Sequence, residues 1–204
     1  MGALVPLVKV AHGRTRGFLA IAFYTVGGAG SSLLIGALLG ALGAMLIPGT
    51  WQFAGLLFVM SMAGVAAAYE MGLIPLALPQ VNRQTNIMWG RRFSTPLAAA
   101  LWGIDLGLVV TTRVTYAGTW AVLLFATASR HTAAGAVILL AYWLGRASQV
   151  WLVALLLRST NELPRFLQRI YMQSSIVQRV HVASLIWALA VLALLIRKGG
   201  VWST

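Results

Sequence analysis

Two charged side chains stand inside long apolar runs of this sequence, where they could hold an ion or a proton. Asp105 comes nine residues after the start of an apolar run at residue 96, so on a helix rising about 1.5 Å per residue it lies roughly 13 Å deep. Arg146 stands about eleven residues before the end of another run, at a similar depth. Charge inside a bilayer is costly and indicates function by default. The sequence therefore predicts an intramembrane polar pair, acting as a structural ion pair, as an ion or proton site, or as a cavity lining or subunit contact.

Other site chemistry finds little support among the residue types. The chain has no cysteine, which excludes disulfides, thiol redox and thiolate metal sites built from its own side chains. His12, His131 and His181 are too dispersed for a metal signature, although His12 and His181 leave a two-histidine haem site open as an alternative. There is no Ser/His/Asp arrangement and no phosphate-binding glycine loop. We therefore predict no catalytic residue, no metal, no cofactor and no enzymatic activity.

The composition points to a membrane protein. Hydrophobic residues make up 60% of the 204 positions and charged residues 9%, whereas soluble domains average about 45–50% and 25%. The excess is gathered in blocks that reach the roughly 20 residues needed to cross a bilayer as a helix. The net charge of +12 sits between these blocks. It is therefore interpreted as positive-inside topology and contact with anionic lipid headgroups, and not as nucleic-acid binding.

The predicted fold class is all-α, a polytopic membrane helix bundle in one domain over residues 1–204. Its five spans cover about 17–47, 51–74, 96–128, 133–157 and 181–196. The run 96–128 has a polar middle, so it is either one long irregular helix or a helix followed by a broken segment. In the first span, Gly36, Gly40 and Gly43 form a small-residue face that is expected to pack closely on another helix.

The connection after the fourth span has its own pattern. Residues 162–178 place Phe166 and Tyr171 with other apolar residues near one side, while Arg165 and Arg169 fall largely elsewhere. This pattern predicts an amphipathic helix lying in the membrane surface. The alternative is a docking helix for a partner subunit, which would use the same face.

Arginine counts predict the topology. The segment before the first span carries Lys9, Arg14 and Arg16, the 75–95 connection carries three arginines, and the 158–180 connection carries four. With five spans all three segments fall on one side, which the positive-inside rule assigns to the cytoplasm. We therefore expect a bacterial inner-membrane protein with its amino end cytoplasmic and its carboxyl end external. Glu70, near the inner end of the second span, would then lie within reach of the inner arginines.

Three segments resemble a known family of membrane proteins. Residues 17–47 (GFLAIAFYTVGGAGSSLLIGALLGALGAMLI) resemble the glycine-rich helix of the CcdA/DsbD-type transmembrane family, and residues 93–128 resemble its later broken helix. The stretch AVILLAYWLGRASQVWLVALLL, from Ala136, resembles the helix that follows. The resemblance spans about residues 17–196. It implies the scaffold of proteins that move reducing equivalents across bacterial inner membranes for cytochrome c maturation and disulfide reduction.

The chain departs from that family where its chemistry resides. The family has six helices in two inverted halves, each beginning with a helix that bears a catalytic cysteine beside a proline. Here the first such helix is expected to be missing, and the window 111–119 (TTRVTYAGT), where the second cysteine would fall, holds neither cysteine nor proline. No catalytic residue can therefore be carried over from the family.

These observations predict a non-catalytic accessory or structural subunit that packs against other integral membrane proteins of a larger inner-membrane assembly. One alternative is a small-solute or ion transporter that uses Asp105 and Arg146. Another is a redox or cytochrome c maturation helper that relies on the cysteines or cofactor of a partner.

Overall fold

A computed structural model describes residues 14–75, 88–109 and 117–156, together with the single positions 83, 85, 86, 111, 168 and 183. Every regular element in this part of the chain is helical, which confirms the all-α class. The predicted fifth span and the predicted interfacial helix, with Arg165, Phe166, Arg169 and Tyr171, lie outside the described residues, apart from the helical positions 168 and 183.

Six α-helices and one 3₁₀ turn are described. The helices are α1 Arg14–Leu46, α2 Gln52–Glu70, α3 Trp89–Arg92, α4 Thr95–Gly107, α5 Gly118–Ala128 and α6 Thr132–Leu156, and the 3₁₀ turn Gly49–Trp51 joins α1 to α2. Three of the described helices are long and apolar enough to cross a membrane. The candidate spans are Gly17–Leu46 in α1, Gly49–Glu70 (the 3₁₀ turn and α2 together) and Thr132–Leu155 in α6. The predicted run 96–128 contains two helices, α4 and α5, and is not one long irregular helix.

Helix α1 is the centre of the bundle. It has 33 residues, so it is roughly 50 Å long. Helices α4, α5 and α6 all pack against it. The indole N–H of Trp143 on α6 donates to the carbonyl oxygen of Thr25 on α1 (2.9 Å), and that of Trp151 donates to the Thr25 hydroxyl (3.0 Å). Two aromatic side chains of α6 are thus tied to one turn of α1.

Glycines set the closeness of these contacts. A methyl group on Gly36 of α1 would collide with the backbone of Gly135 at the start of α6, and one on Gly135 would collide with Gly36. Similarly, a methyl group on Gly40 would collide with the carbonyl of His131, and one on Gly43 with the carbonyl of Thr127. The three predicted packing glycines therefore all lie where α1 meets α5, α6 or the turn between them.

The contacts also give the helix directions. Gly36 of α1 faces Gly135 of α6 whereas Gly28 faces Trp143, so α6 runs antiparallel to α1. Along α4, Gly103 meets Tyr24, and Gly107 meets Gly28 and Ser31, so α4 runs parallel to the first half of α1. Helix α5 continues in the same direction along the second half. Its residue Trp120 shares a groove with Ile35, and Thr127 meets Gly43.

Helices α4 and α5 are therefore two halves of one interrupted path beside α1. The interruption lies opposite residues 31–35, just past the midpoint of α1. Helix α2 packs mainly on α5, and its buried side chains are small except at Val59 and Glu70.

A candidate functional site at the break between two half-helices

The first half-helix, α4, ends at Gly107 because its final carbonyl groups are satisfied by side chains. The hydroxyl of Ser32 on α1 donates to the Gly107 carbonyl (2.9 Å). The hydroxyl of Thr111 turns back and donates to the Asp105 carbonyl (2.6 Å). The last carbonyls of a helix lack partners within it, and the two side-chain hydroxyls supply partners for two of them here.

Val109 marks the change of direction. Its φ is 64°, in the left-handed region that a β-branched residue rarely adopts and that costs of order 1–3 kcal/mol. The Val109 side chain is buried in a cluster with Leu123 and Ala126 of α5 and Leu139 of α6. Burial of that side chain offsets the strained backbone and holds the end of α4 against the second half-helix.

Asp105 lies one turn before this point. It is only 6% exposed, and its Oδ2 atom is buried without a hydrogen-bond partner. A carboxylate that is buried, ionised and unpaired is strongly disfavoured. Residues of this kind inside membrane bundles mark ion or proton sites more often than chance. Trp120 and Arg130 also have a buried nitrogen without a partner in the described residues, and Asp105 is the acidic side chain among the three.

At the start of the second half-helix, α5, a carboxyl group from another helix accepts a backbone hydrogen bond. Glu70, the last residue of α2, is 8% exposed, and its Oε1 atom accepts a hydrogen bond from the backbone N–H of Ala117 (2.7 Å). Ala117 is the N-cap position of α5. The first N–H groups of a helix are unpaired and carry partial positive charge, so a buried carboxylate is well suited to this place.

Helix α6 supplies a third polar contact to the same region. The hydroxyl groups of Thr119, in the first turn of α5, and Tyr142 are 2.6 Å apart and hydrogen-bonded. One turn further along α6, the Arg146 guanidinium lies over the Tyr142 ring, 5.7 Å from its centroid. This is the separation of a cation–π contact. Tyr142 of α6 thus contacts both the first turn of α5 and the Arg146 guanidinium of its own helix.

The predicted partnership of Asp105 with Arg146 is not formed as an ion pair in this structure. Arg146 contacts Tyr142 of its own helix, and Asp105 Oδ2 has no partner. The reason is helix packing: α4 and α6 both pack on α1 and contact each other little. Equal depth along two helices does not bring two side chains onto facing sides.

Sequence reasoning placed Glu70 at the inner end of a span and missed its contact with α5. Glu70 is the last residue of α2, as predicted for the end of that span, and its bond to Ala117 also places it at the start of α5. A signal was available, because only three acidic residues occur in the chain. Two of them, Asp105 and Glu70, flank the same interruption. Within the described residues, no group of three histidine or acidic side chains could hold a metal ion in the usual way.

Comparisons with protein-family models, with curated proteins and with solved structures return no match for this chain. The fold and the site therefore define the protein as far as its class: an all-helical bundle with three helices able to cross a membrane, and an interrupted helix path flanked by buried acidic side chains.

Proposed function

We propose that this chain is an integral membrane protein that binds a small cation, either a proton or an alkali metal ion, at the break between α4 and α5 and carries it across the membrane. The observation that supports this function is Asp105 Oδ2, buried without a hydrogen-bond partner beside a helix end. A bound cation or proton would remove the cost of leaving that oxygen unpaired.

The location of the break supports the same function. Interrupted helices occur at membrane depth where backbone lines a binding site or cavity, and transporters place ion sites between such half-helices. Here the interruption lies just past the middle of α1. Two of the three acidic residues of the chain, Glu70 and Asp105, also lie there.

This proposal favours the transporter alternative over the accessory subunit that the sequence predicts most directly. A purely structural subunit has no need for an unpaired carboxyl oxygen at the end of a half-helix. The exposed apolar faces of α1, α2 and α6 suit lipid as well as another subunit, so they do not favour an assembly. If the chain neither carries protons or sodium nor is labelled at Asp105, the accessory role is favoured.

The test uses the purified full chain in liposomes. Proton entry is followed with a pH-sensitive dye and sodium entry with a sodium-sensitive dye, each under an imposed gradient. In parallel, dicyclohexylcarbodiimide, which reacts with protonated carboxyl groups in apolar surroundings, is used to label Asp105, with and without added Na⁺. Protection by Na⁺ identifies an alkali-ion site, whereas labelling that responds to pH alone identifies a proton site.

The key variant is Asp105→Asn, which keeps the shape of the side chain and removes its charge. We expect it to abolish both flux and labelling at this position. Glu162→Gln is the matched control. It changes the third acidic residue of the chain and should leave both flux and labelling of Asp105 unchanged. Flux that is unaffected by Asp105→Asn would refute the proposed function.

A further inference from the structure

Arg130, in the turn between α5 and α6, is a cation that lacks an anionic partner in the described part of the chain. Its Nε atom is buried there without a hydrogen-bond partner. The two acidic residues that the structure describes lie elsewhere, Asp105 on α4 and Glu70 at the far end of α2. A guanidinium group only donates hydrogen bonds, and its natural partners are carboxylate and phosphate. An anion that pairs with Arg130 must therefore come from outside the described residues.

The backbone of Arg130 is held in a conformation that favours glycine. Its φ is 53°, in the left-handed region that glycine commonly occupies just after a helix end. The carbonyls of Thr127 and His131, before and after it, lie against Gly43 and Gly40 of α1. This packing fixes the turn on the last turns of α1. Glycine would occupy position 130 at lower cost, so the arginine points to a use of its side chain.

The Arg130 guanidinium reaches the level of the turn that follows α1. A methyl group on Gly49, in that turn, would lie 3.3 Å from Nη1 of Arg130. With the middle of the Gly17–Leu46 span at the bilayer midplane, Leu42 lies roughly 16 Å from the midplane. That is the edge of a hydrocarbon core about 30 Å thick, and Gly49 lies further out. The guanidinium is therefore placed at the level of the lipid headgroups.

An apolar groove between α1 and α5 leads inward from this level. Its volume is about 400 Å³, and it extends roughly 10 Å along α1. Its lining includes Ile35, Leu38 and Leu42 of α1 and Trp120, Leu124 and Thr127 of α5. Leu38 and Leu42 are 51% and 46% exposed, so the groove is open to its surroundings. Arg130 stands at its outer end, because this residue follows α5 and reaches the turn that follows α1.

We infer that Arg130 and this groove form one binding site for a phospholipid, with the lipid phosphate on the guanidinium and an acyl chain along the groove. A lone cation would accept a soluble phosphate, and a lone groove would accept any apolar chain. A cation at headgroup level above an apolar groove fits an amphiphile that carries its anion at the membrane surface. Guanidinium and phosphate also match in geometry, since two parallel N–H···O bonds can form. The site is separate from Asp105 and does not depend on cation transport.

Two pairs of variants test the two parts of the site. Arg130→Gly removes the guanidinium and suits the positive φ, so the fold should be retained, and Arg92→Gly removes an exposed arginine at the opposite end of the bundle. Leu38→Trp fills the groove, whereas Leu34→Trp places the same side chain at an exposed position of α1 outside it. Thermal unfolding without added lipid checks that each variant is folded.

Native mass spectrometry of the full chain, stripped of lipid in mild detergent, measures binding of dioleoyl phosphatidylglycerol. Dioleoylglycerol lacks the phosphate and glycerol 3-phosphate lacks the acyl chains, so each tests one half of the ligand. We expect one tightly bound phosphatidylglycerol, and both halves should bind at least roughly tenfold more weakly. Arg130→Gly should weaken phosphatidylglycerol binding by roughly tenfold or more, the size of effect that a hydrogen bond to a charged group supports. Leu38→Trp should also weaken it, whereas Arg92→Gly and Leu34→Trp should bind like the wild type.

Equal losses in Arg130→Gly and Arg92→Gly would mean that only the overall charge matters, and would overturn the inference. Wild-type binding by Arg130→Gly would overturn it as well. Equal behaviour of Leu38→Trp and Leu34→Trp would remove the groove from the site. Glycerol 3-phosphate that binds as tightly as phosphatidylglycerol would identify a site for soluble phosphate and refute the lipid site.

Discussion

At Asp105 a carboxyl group is buried at the end of a half-helix while one of its oxygens makes no hydrogen bond. At Glu70 a second buried carboxyl group is used differently, because its oxygen accepts from the first turn of α5. The two acidic residues thus divide into one that holds structure and one that is left open for chemistry.

Because Asp105 and Arg146 form no ion pair in the structure, we predict that substitutions at the two positions act independently on stability. A paired Asp105 and Arg146 would show strong coupling in a double-variant cycle, since breaking a buried pair costs about 3–5 kcal/mol. We expect the effects of Asp105→Asn and Arg146→Gln on the free energy of unfolding to add within about 0.5 kcal/mol, as independent sites do.

Arg146→Gln alone should cost no more than about 1 kcal/mol, because the contact it loses is a cation–π interaction with Tyr142. The free energy of unfolding is measured in mixed micelles with a denaturing detergent. The wild type, the two single variants and the double variant are compared. A coupling energy well above 1 kcal/mol would show that the two side chains interact after all.

Close packing of α1 depends on where its glycines lie. Gly36 and Gly43 face backbone of neighbouring elements, whereas Gly30 faces open space. All three lie on the same helix and have similar propensity for it. Their substitution therefore separates packing from propensity.

We predict that Gly36→Ala and Gly43→Ala each lower the free energy of unfolding by roughly 1–3 kcal/mol, the usual cost of overpacking. Gly30→Ala should be neutral or stabilising by up to about 1 kcal/mol, since alanine favours the helix and meets no neighbour. Thermal unfolding of the three variants in detergent gives the comparison. Equal loss at Gly30 and Gly36 would mean that the glycines serve helix flexibility and not contact.

The pairing of α4 with α5 is also a property of elements. Neither helix is long enough to cross a bilayer, since they have 13 and 11 residues and a crossing takes about 20. Placed in sequence along α1, they cover its length together. Val109 holds the junction because its side chain is buried with residues of α5 and α6 even though its backbone is strained.

At the scale of the whole molecule, the orientation in the membrane remains a prediction from the positions of the arginines. Two exposed positions at opposite ends of the described bundle, Thr50 and Ser94, test it directly. Because the chain has no cysteine, Thr50→Cys and Ser94→Cys each introduce the single reactive thiol in the molecule.

With the amino end cytoplasmic, an impermeant maleimide added to intact cells should label Thr50→Cys, whereas it should label Ser94→Cys only after the membrane is opened. The cysteine-free wild-type chain provides the background. The opposite pattern would reverse the topology and with it the direction assigned to the arginine-rich segments.

The apolar runs were enough to predict a membrane protein, because a bilayer requires long apolar helices. The length of each run can be read directly from the sequence. The glycine face of α1 followed equally well, since only small residues let helix backbones approach closely. The polar middle of 96–128 also pointed to an interruption. These features are local, so they depend on residues close together in the chain. The resemblance to the CcdA/DsbD-type family and the accessory role remain predictions.

Tertiary structure decided what the polar residues do. Glu70 and Ala117 are 47 residues apart in the chain, and no local pattern relates the end of one helix to the start of another. Asp105 and Arg146 share a depth along their helices, but depth leaves open which way each helix faces. In the tertiary structure α4 and α6 both pack on α1 and contact each other little, and Asp105 has a buried carboxyl oxygen without a hydrogen-bond partner.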